Sequence, residues 1–546
     1  MPVRPIRTTT LLLATLTLVA GCSTAGADPG ASAATGATGS PTDAGMTGST
    51  TTAAVLAASH DDEADYTWDP ASEVAVTLAD GASSGGSGVS VDADVVTIGA
   101  AGTYRIGGSL TDGSLVVDVA TGGVVRLVLD GADIASATSA ALAVVAAEKV
   151  VVILADGSEN VLADAATHAA TDAAEEPLAA LASTADLTIA GDGSLVVDGR
   201  ANDGISGKDG LIVAGGDVTV SAVDDGIRGK DYLIVTGGTL SVTAGGDALR
   251  ADNPEDATLG YVTIAGGTLD LTAGTDAVDA TTTASVASGS LVIDAGDDAI
   301  HAEVRVEVNG GTIDVERSYE GLEATQIVVT GGTIDIVADD DGLNVAGGND
   351  GSALQGGDFT APGGGPRGGG GMGPGGETAV DGWFVEVSGG TITIDAGGDG
   401  FDSNGSATVT GGMIVVSGPT SNGNGAIDVN GEFLISDAVL VAAGSAGMAE
   451  TPSASAAQAT LALTFDSSIA AGTVVRIEAP DGTAIATFVG AKPFQSLVVS
   501  SPAIEPGTAY EVLVGGTATG EDIGGLYLDP AYTPGTSVGT VSAITR

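Results

Sequence analysis

A Gly-Gly pair, a short alternating stretch and a carboxylate nine residues after the second glycine recur through the middle of this chain. The pairs are Gly215-Gly216, Gly237-Gly238, Gly266-Gly267, Gly310-Gly311, Gly331-Gly332 and Gly389-Gly390, with Ser288-Gly289 as a variant. The acids that follow are Asp225, Asp247, Asp276, Asp298, Glu320, Asp341 and Asp399. Stretches such as Thr239-Leu240-Ser241-Val242-Thr243 lie between glycine and acid, and their period of two reads as β-strand. Apolar residues return at +2 from the acid (Ile227, Leu249, Val278, Ile300, Leu322, Leu343, Phe401) and polar ones at +3. The steps from Gly216 to Gly238, Gly267 to Gly289, Gly289 to Gly311 and Gly390 to Gly412 are each 22 residues, which is a solenoid period. The expected fold is all-β: a right-handed parallel β-helix, followed by a C-terminal β-rich segment.

In such a fold, equivalent residues stack about 4.8 Å apart. A row of like carboxylates then repels by about 3 kcal/mol per neighbouring pair at an effective dielectric near 20. Three arrangements offset this: acids screened by bulk water, acids interleaved with basic partners, or acids holding cations. Doubled acids at Asp224-Asp225, Asp297-Asp298 and Asp339-Asp340-Asp341 concentrate charge where a neutral turn residue would serve. Hard oxygen donors suit Ca²⁺, which takes six to eight ligands at about 2.3–2.6 Å. Calcium is therefore the expected cofactor, with Asp224, Asp225, Asp247, Asp276, Asp297, Asp298, Glu320, Asp341 and Asp399 as candidate ligands.

The N-terminus reads as an export signal. Arg4 and Arg7 precede an apolar run over residues 11–20, and Val19-Ala20-Gly21-Cys22 has the form of a bacterial lipobox around the only cysteine. Residues 1–22 are expected to be the signal peptide and lipobox, with Cys22 lipidated. Residues 23–58, rich in Ala, Gly, Ser and Thr, are expected to be a flexible tether. The protein is thus expected to be exported and anchored to the outer face of the cell membrane by lipid, not by a spanning segment. It is expected to be a monomer.

Residues 59–448 are assigned to the β-helix with an N-terminal cap, and residues 449–546 to the C-terminal β-structure. Between Gly332 and Gly390 the step grows to 58 residues, and the surplus matches the Gly/Pro-rich residues 346–380, expected to loop out of one repeat. The formal net charge of −55, from 71 acids and 16 bases, excludes nucleic acid as a partner, because phosphate contacts need a basic surface.

Gly157-Ser158-Glu159-Asn160-Val161-Leu162, Ala185-Asp186-Leu187-Thr188-Ile189 and the run from Asp225-Gly226-Ile227-Arg228 to Tyr232-Leu233-Ile234 with Gly237-Gly238 resemble one known family. It is the bacterial carbohydrate-binding domain family of calcium-containing, polysaccharide-lyase-like β-helix proteins. The resemblance covers roughly residue 60 to the C-terminus. It implies a right-handed β-helix with bound calcium that attaches to cellulose or polygalacturonate, without cleavage as a family trait.

The residues themselves favour an acidic sugar. Flat cellulose surfaces are usually gripped by aromatic rings, whereas aromatics are 3% of this chain and no column of the repeat is aromatic. The +3 column instead holds Arg228, Arg250, Asp279, His301, Glu323, Asn344 and Asp402, and Lys208 and Lys230 each follow an acid by five. Arg228, Lys230, Arg250 and Lys208 are the candidate carbohydrate-binding residues, since guanidinium and ammonium groups pair with uronate carboxylates; their other reading is charge compensation of the acid column. No catalytic residue is assigned. One alternative is a calcium-dependent, pectate-type lyase acting by β-elimination, but an acidic surround raises the pKa of a basic residue where a catalytic base needs it lowered. A second is a surface adhesin or spacer without a ligand.

Overall fold

The computed structural model describes residues 52–168, 177–347 and 378–544, which belong to one compact unit, Thr51–Arg546. The expected lipobox with Cys22 and most of the expected tether lie outside the described residues, as do residues 348–377 of the expected insertion. Among the described residues, no helix is long and apolar enough to cross a membrane.

The architecture is all-β, dominated by a 28-stranded and a 14-stranded sheet with long parallel stretches. Each 22-residue repeat contributes three short strands, where the sequence pattern had made only the one after the glycine pair plain. The first ladder carries that strand, as in Thr239–Ala244, Thr268–Thr272 and Ser290–Asp294. The second follows the acid, as in Ile227–Gly229, Leu249–Ala251 and Val278–Ala280. The third closes the repeat, as in Tyr232–Val235, Tyr261–Ile264 and Thr283–Val286. Within each ladder, a strand pairs in parallel with its counterpart one repeat on. Register is therefore the sequence period itself, and Leu240, Leu269, Leu291 and Ile313 fall in one column.

Alternation in the first ladder buries every second side chain, and all four of these are inaccessible to solvent. Each contributes about 2–3 kcal/mol of apolar burial. Gly238 turns the chain into this strand at φ 91°, and a Cβ there would come 2.7 Å from the Gly216 carbonyl oxygen, so both backbone conformation and repeat-to-repeat contact require glycine. The first and second ladders continue across the long step: Thr333–Ala338 pairs with Thr391–Ala396, and Leu343–Val345 with Phe401–Ser403.

Both ends of the parallel stack are covered. At the N-terminal end, Val74–Leu78 pairs with Ser84–Gly85 antiparallel and with Gly102–Leu110 parallel. At the C-terminal end, Phe494–Ser500 pairs antiparallel with both Val439–Gly444 and Thr460–Ile469, occupying the edge that another repeat would extend. The remaining C-terminal strands pack a second apolar core, including Val475, Ile477, Phe488 and Tyr510, against outward residues Val415 and Val441 of the first ladder.

Candidate functional site

The recurring acid stands at the corner between the first and second ladders, where it ties successive repeats together. Its backbone carbonyl accepts an N–H from the repeat before it: Gly226 donates to Asp247 at 2.8 Å, Ala248 to Asp276 at 3.0 Å and Ala277 to Asp298 at 3.0 Å. Its backbone N–H donates to the carboxylate of the preceding acid. Asp247 donates to Asp225 Oδ1 at 3.0 Å, Asp276 to Asp247 Oδ1 at 3.1 Å, Asp298 to Asp276 Oδ1 at 2.9 Å and Asp399 to Asp341 Oδ1 at 2.6 Å. Gly425 donates likewise to Asp399 Oδ1. An asparagine would accept the same N–H, so this ladder explains the short side chain but not the charge. Bulk screening does not explain it either, because Asp225, Asp247, Asp298 and Glu320 are buried. The charge must be balanced by what faces the second oxygen, and that is the +3 column.

At the Asp225 and Asp247 end, the balancing groups are guanidinium ions. Arg250 Nη1 lies 2.8 Å from Asp247 Oδ2 and 3.5 Å from Asp225 Oδ2, and its Nε lies 3.5 Å from Asp279. Arg228 donates Nε and Nη2 to the two oxygens of Asp252 at 3.1 and 2.6 Å, a bidentate pair. Burial acts to lower the Arg250 pKa, and the carboxylates of Asp247, Asp225, Asp279 and Asp252 outweigh it and raise it. Burial, followed by the Asp247 charge, pushes Asp225 up to about 7 despite Arg250.

In the middle of the column the cation is an imidazole. His301 Nδ1 lies 2.9 Å from Asp279 Oδ1 and 3.9 Å from Asp276, while Nε2 lies 3.9 Å from Glu323 Oε2. Burial lowers the His301 pKa, and Asp279, Asp276 and Glu323 more than compensate, raising it to about 9. Burial, then Asp276 and Glu323, push Asp298 well above the ordinary carboxylate range. At Glu320 the amide of Asn344 supplies a neutral donor, 2.6 Å from Glu320 Oε2.

At the far end, the facing groups are carboxylates. Asp399, Asp402 and Asp428 each present an oxygen, and these oxygens lie within 4.8 Å of one another. Burial comes first in raising Asp402 to about 9, followed by Asp341, Asp428 and Asp399. Asp399 is raised to about 6, again mainly by burial, with Asp428, Asp340 and Glu450 adding to it. Three hard oxygens converging in this way could hold a calcium ion.

The other expected ligands are placed less favourably. Asp224 is exposed beside the column and Asp297 is half-buried. Lys208 and Lys230 are half-buried just past the second ladder, and Lys230 Nζ lies 3.8 Å from the exposed Glu255 carboxylate. Arg228 and Arg250 face the acids of neighbouring repeats, the compensating arrangement, and keep about one-third of their side-chain surface accessible. Residues 279, 301, 323, 402 and 428 were not among the candidate ligands. The +3 column exposes the first four; Asp428 is found by treating Gly425 as an acid position that has lost its acid. One aromatic pair does stack within a column: Tyr232 and Tyr261 are in register at 5.3 Å with 12° between ring planes, while Gly210 holds that position one repeat earlier. Their 29-residue spacing hid the match.

The carbohydrate-binding domain-containing protein family matches residues 92–368. A carbohydrate-binding domain-containing protein of Acetivibrio thermocellus is 34% identical over 136 residues, 25% of this chain and 48% of the relative. The aligned part thus spans about half the length of that relative. A solved structure described as a polysaccharide lyase-like protein from C. thermocellum, in a gadolinium derivative, is 33% identical with a TM-score of 0.38, covering 45% of this chain and 94% of that one.

Proposed function

Because this chain belongs to the carbohydrate-binding domain-containing protein family, we propose that it binds an acidic polysaccharide of the polygalacturonate type, with calcium linking the sugar carboxylates to the Asp399, Asp402 and Asp428 end of the column. The observation that carries this reading is the convergence at that end, where oxygens of Asp399, Asp402 and Asp428 lie within 4.8 Å of one another and Asp402 is buried among carboxylates. A chain with a formal net charge of −55 repels a polyanion unless a cation joins them. Three protein oxygens leave calcium positions for further oxygen ligands, including those of a uronate. Arg228 and Arg250, with Lys208 and Lys230, are proposed to pair with carboxylates further along the same sugar chain.

The scaffold of this reading is a right-handed parallel β-helix over residues 59–448, supported by three parallel ladders of matching period and by the right-handed sense of nearly all parallel crossovers. The Val19-Ala20-Gly21-Cys22 sequence supports export and lipid anchoring at Cys22 through a tether that is shorter than the expected residues 23–58, because Thr52–Ala58 forms a helix whose Val55 and Leu56 pack against Ile212 and Tyr232. A Cys22→Ser precursor is expected to leave the membrane fraction; equal retention of both forms overturns the anchor. A lyase is disfavoured because the carboxylates raise Arg250 and Arg228, the opposite of what a proton-abstracting base requires.

Affinity electrophoresis in polygalacturonate gels tests the binding. Retardation in calcium that disappears in chelator and in Asp402→Asn is the expected result. Retardation unchanged by chelator overturns the calcium bridge, and equal binding to cellulose without calcium overturns the acidic sugar. No binding to either leaves a spacer, and unsaturated uronide ends released from the polymer establish a lyase.

A further inference from the structure

We propose that Asp298, His301 and Glu323 form a binding site for a first-row transition cation of the zinc type, chemically distinct from the oxygen-only cluster at Asp399, Asp402 and Asp428. The first observation is a lapse in the acid ladder. Asp225, Asp247, Asp276, Asp341 and Asp399 each accept a backbone N–H at Oδ1 from the following repeat. Asp298 Oδ1 accepts none among the described residues, although the side chain is only 4% exposed. The next acid in the column is the longer Glu320, and the first-ladder pairing on either side of that repeat carries register shifts at Ile293/Asp294 and Val315/Ser318. A buried carboxylate oxygen without a donor is costly unless a cation meets it.

The second observation is the orientation of His301. Its Nδ1 contact with Asp279 at 2.9 Å keeps the proton on Nδ1 and turns Nε2 towards Glu323, 3.9 Å from Oε2, so that a metal displacing the Nε2 proton meets its lone pair there. A carboxylate that orients an imidazole whose other nitrogen meets a metal is the recurrent outer-shell arrangement of zinc sites. One ligand atom from each of Asp298, His301 and Glu323 lies within 4.8 Å of the other two. Tetrahedral ligands at about 2.0–2.1 Å from a zinc ion stand about 3.4 Å apart, so closure requires side-chain shifts of the order of an ångström. Imidazole with two carboxylates suits zinc and its neighbours, while calcium prefers oxygen alone. Three protein ligands leave the fourth position to water.

The site is independent of sugar binding, and its test has its own readout. The full chain, stripped by chelator, is dialysed against zinc chloride in excess calcium chloride, and bound metal is counted by mass spectrometry. A single equivalent of zinc retained against calcium is expected. His301→Asn and Glu323→Gln are expected to lose it while keeping the calcium-dependent rise in melting temperature, and Asp402→Asn is expected to keep it. Asp279→Asn should weaken zinc by about 10- to 100-fold, as loss of an orienting partner does. Cobalt in place of zinc should show visible absorption that disappears in His301→Asn. Zinc displaced by calcium, or retained by folded His301→Asn, overturns the proposal and leaves His301 as a charged bridge between acids.

Discussion

The two ends of the carboxylate column are built on equivalent strands of the same ladders and differ in what faces the acids. At Asp225 and Asp247, Arg250 reaches back to both acids at 3.5 and 2.8 Å. At Asp399, Asp402 and Asp428, carboxylates converge and push Asp402 up to about 9. One end carries its counter-ion on the chain; at the other, carboxylates face carboxylates and burial holds Asp402 in its protonated range. A repeat fold thus holds its backbone ladder constant while a single outward column changes the chemistry.

The largest effect is expected at the arginine end. Arg250→Ala leaves Asp247, Asp225 and Asp279 without their shared cation and should destabilise by about 2–4 kcal/mol at neutral pH, less than a fully buried pair because the guanidinium is about one-third exposed. Chemical denaturation measures this, and calcium should not restore the loss. A full rescue by calcium would show that the two ends are interchangeable.

Next comes the carboxylate end. The folded pKa of Asp402, about 9, lies above that of an unfolded aspartate. The folded state therefore binds the extra proton, and its contribution is fully present below the unfolded pKa of about 4 and lost as pH rises towards about 9. In chelator, the melting temperature should fall across that window. Calcium at 100 times its dissociation constant should add about 2.7 kcal/mol, with Asp402→Asn stabler than wild type in chelator at high pH and unresponsive to calcium. A wild-type melt indifferent to calcium would remove the distinction between the ends. The smallest effect is expected at Asp224→Asn, within about 0.5 kcal/mol, because this acid is exposed beside the column and not in it. A larger change in calcium would bring Asp224 back among the ligands.

The repeat, the parallel register and the acid column were legible in the sequence, because a fixed period sets which residues stack when strands pair in parallel. Leu240, Leu269 and Leu291 fall in one column for that reason alone. What the period does not carry is how a side chain uses its donors and acceptors. Only the folded chain shows that one oxygen of Asp247 belongs to the Asp276 amide and the other to Arg250, since both contacts depend on rotamer and on neighbouring repeats. Only there does Asp428 join Asp399 and Asp402, across a repeat whose acid position has become Gly425. The 29-residue repeat that brings Tyr261 onto Tyr232 likewise escapes a search for 22. Periodicity determined which residues lie near one another; the hydrogen bonds and burial of the tertiary structure decided which of their charges are balanced within the chain and which carboxylates face one another.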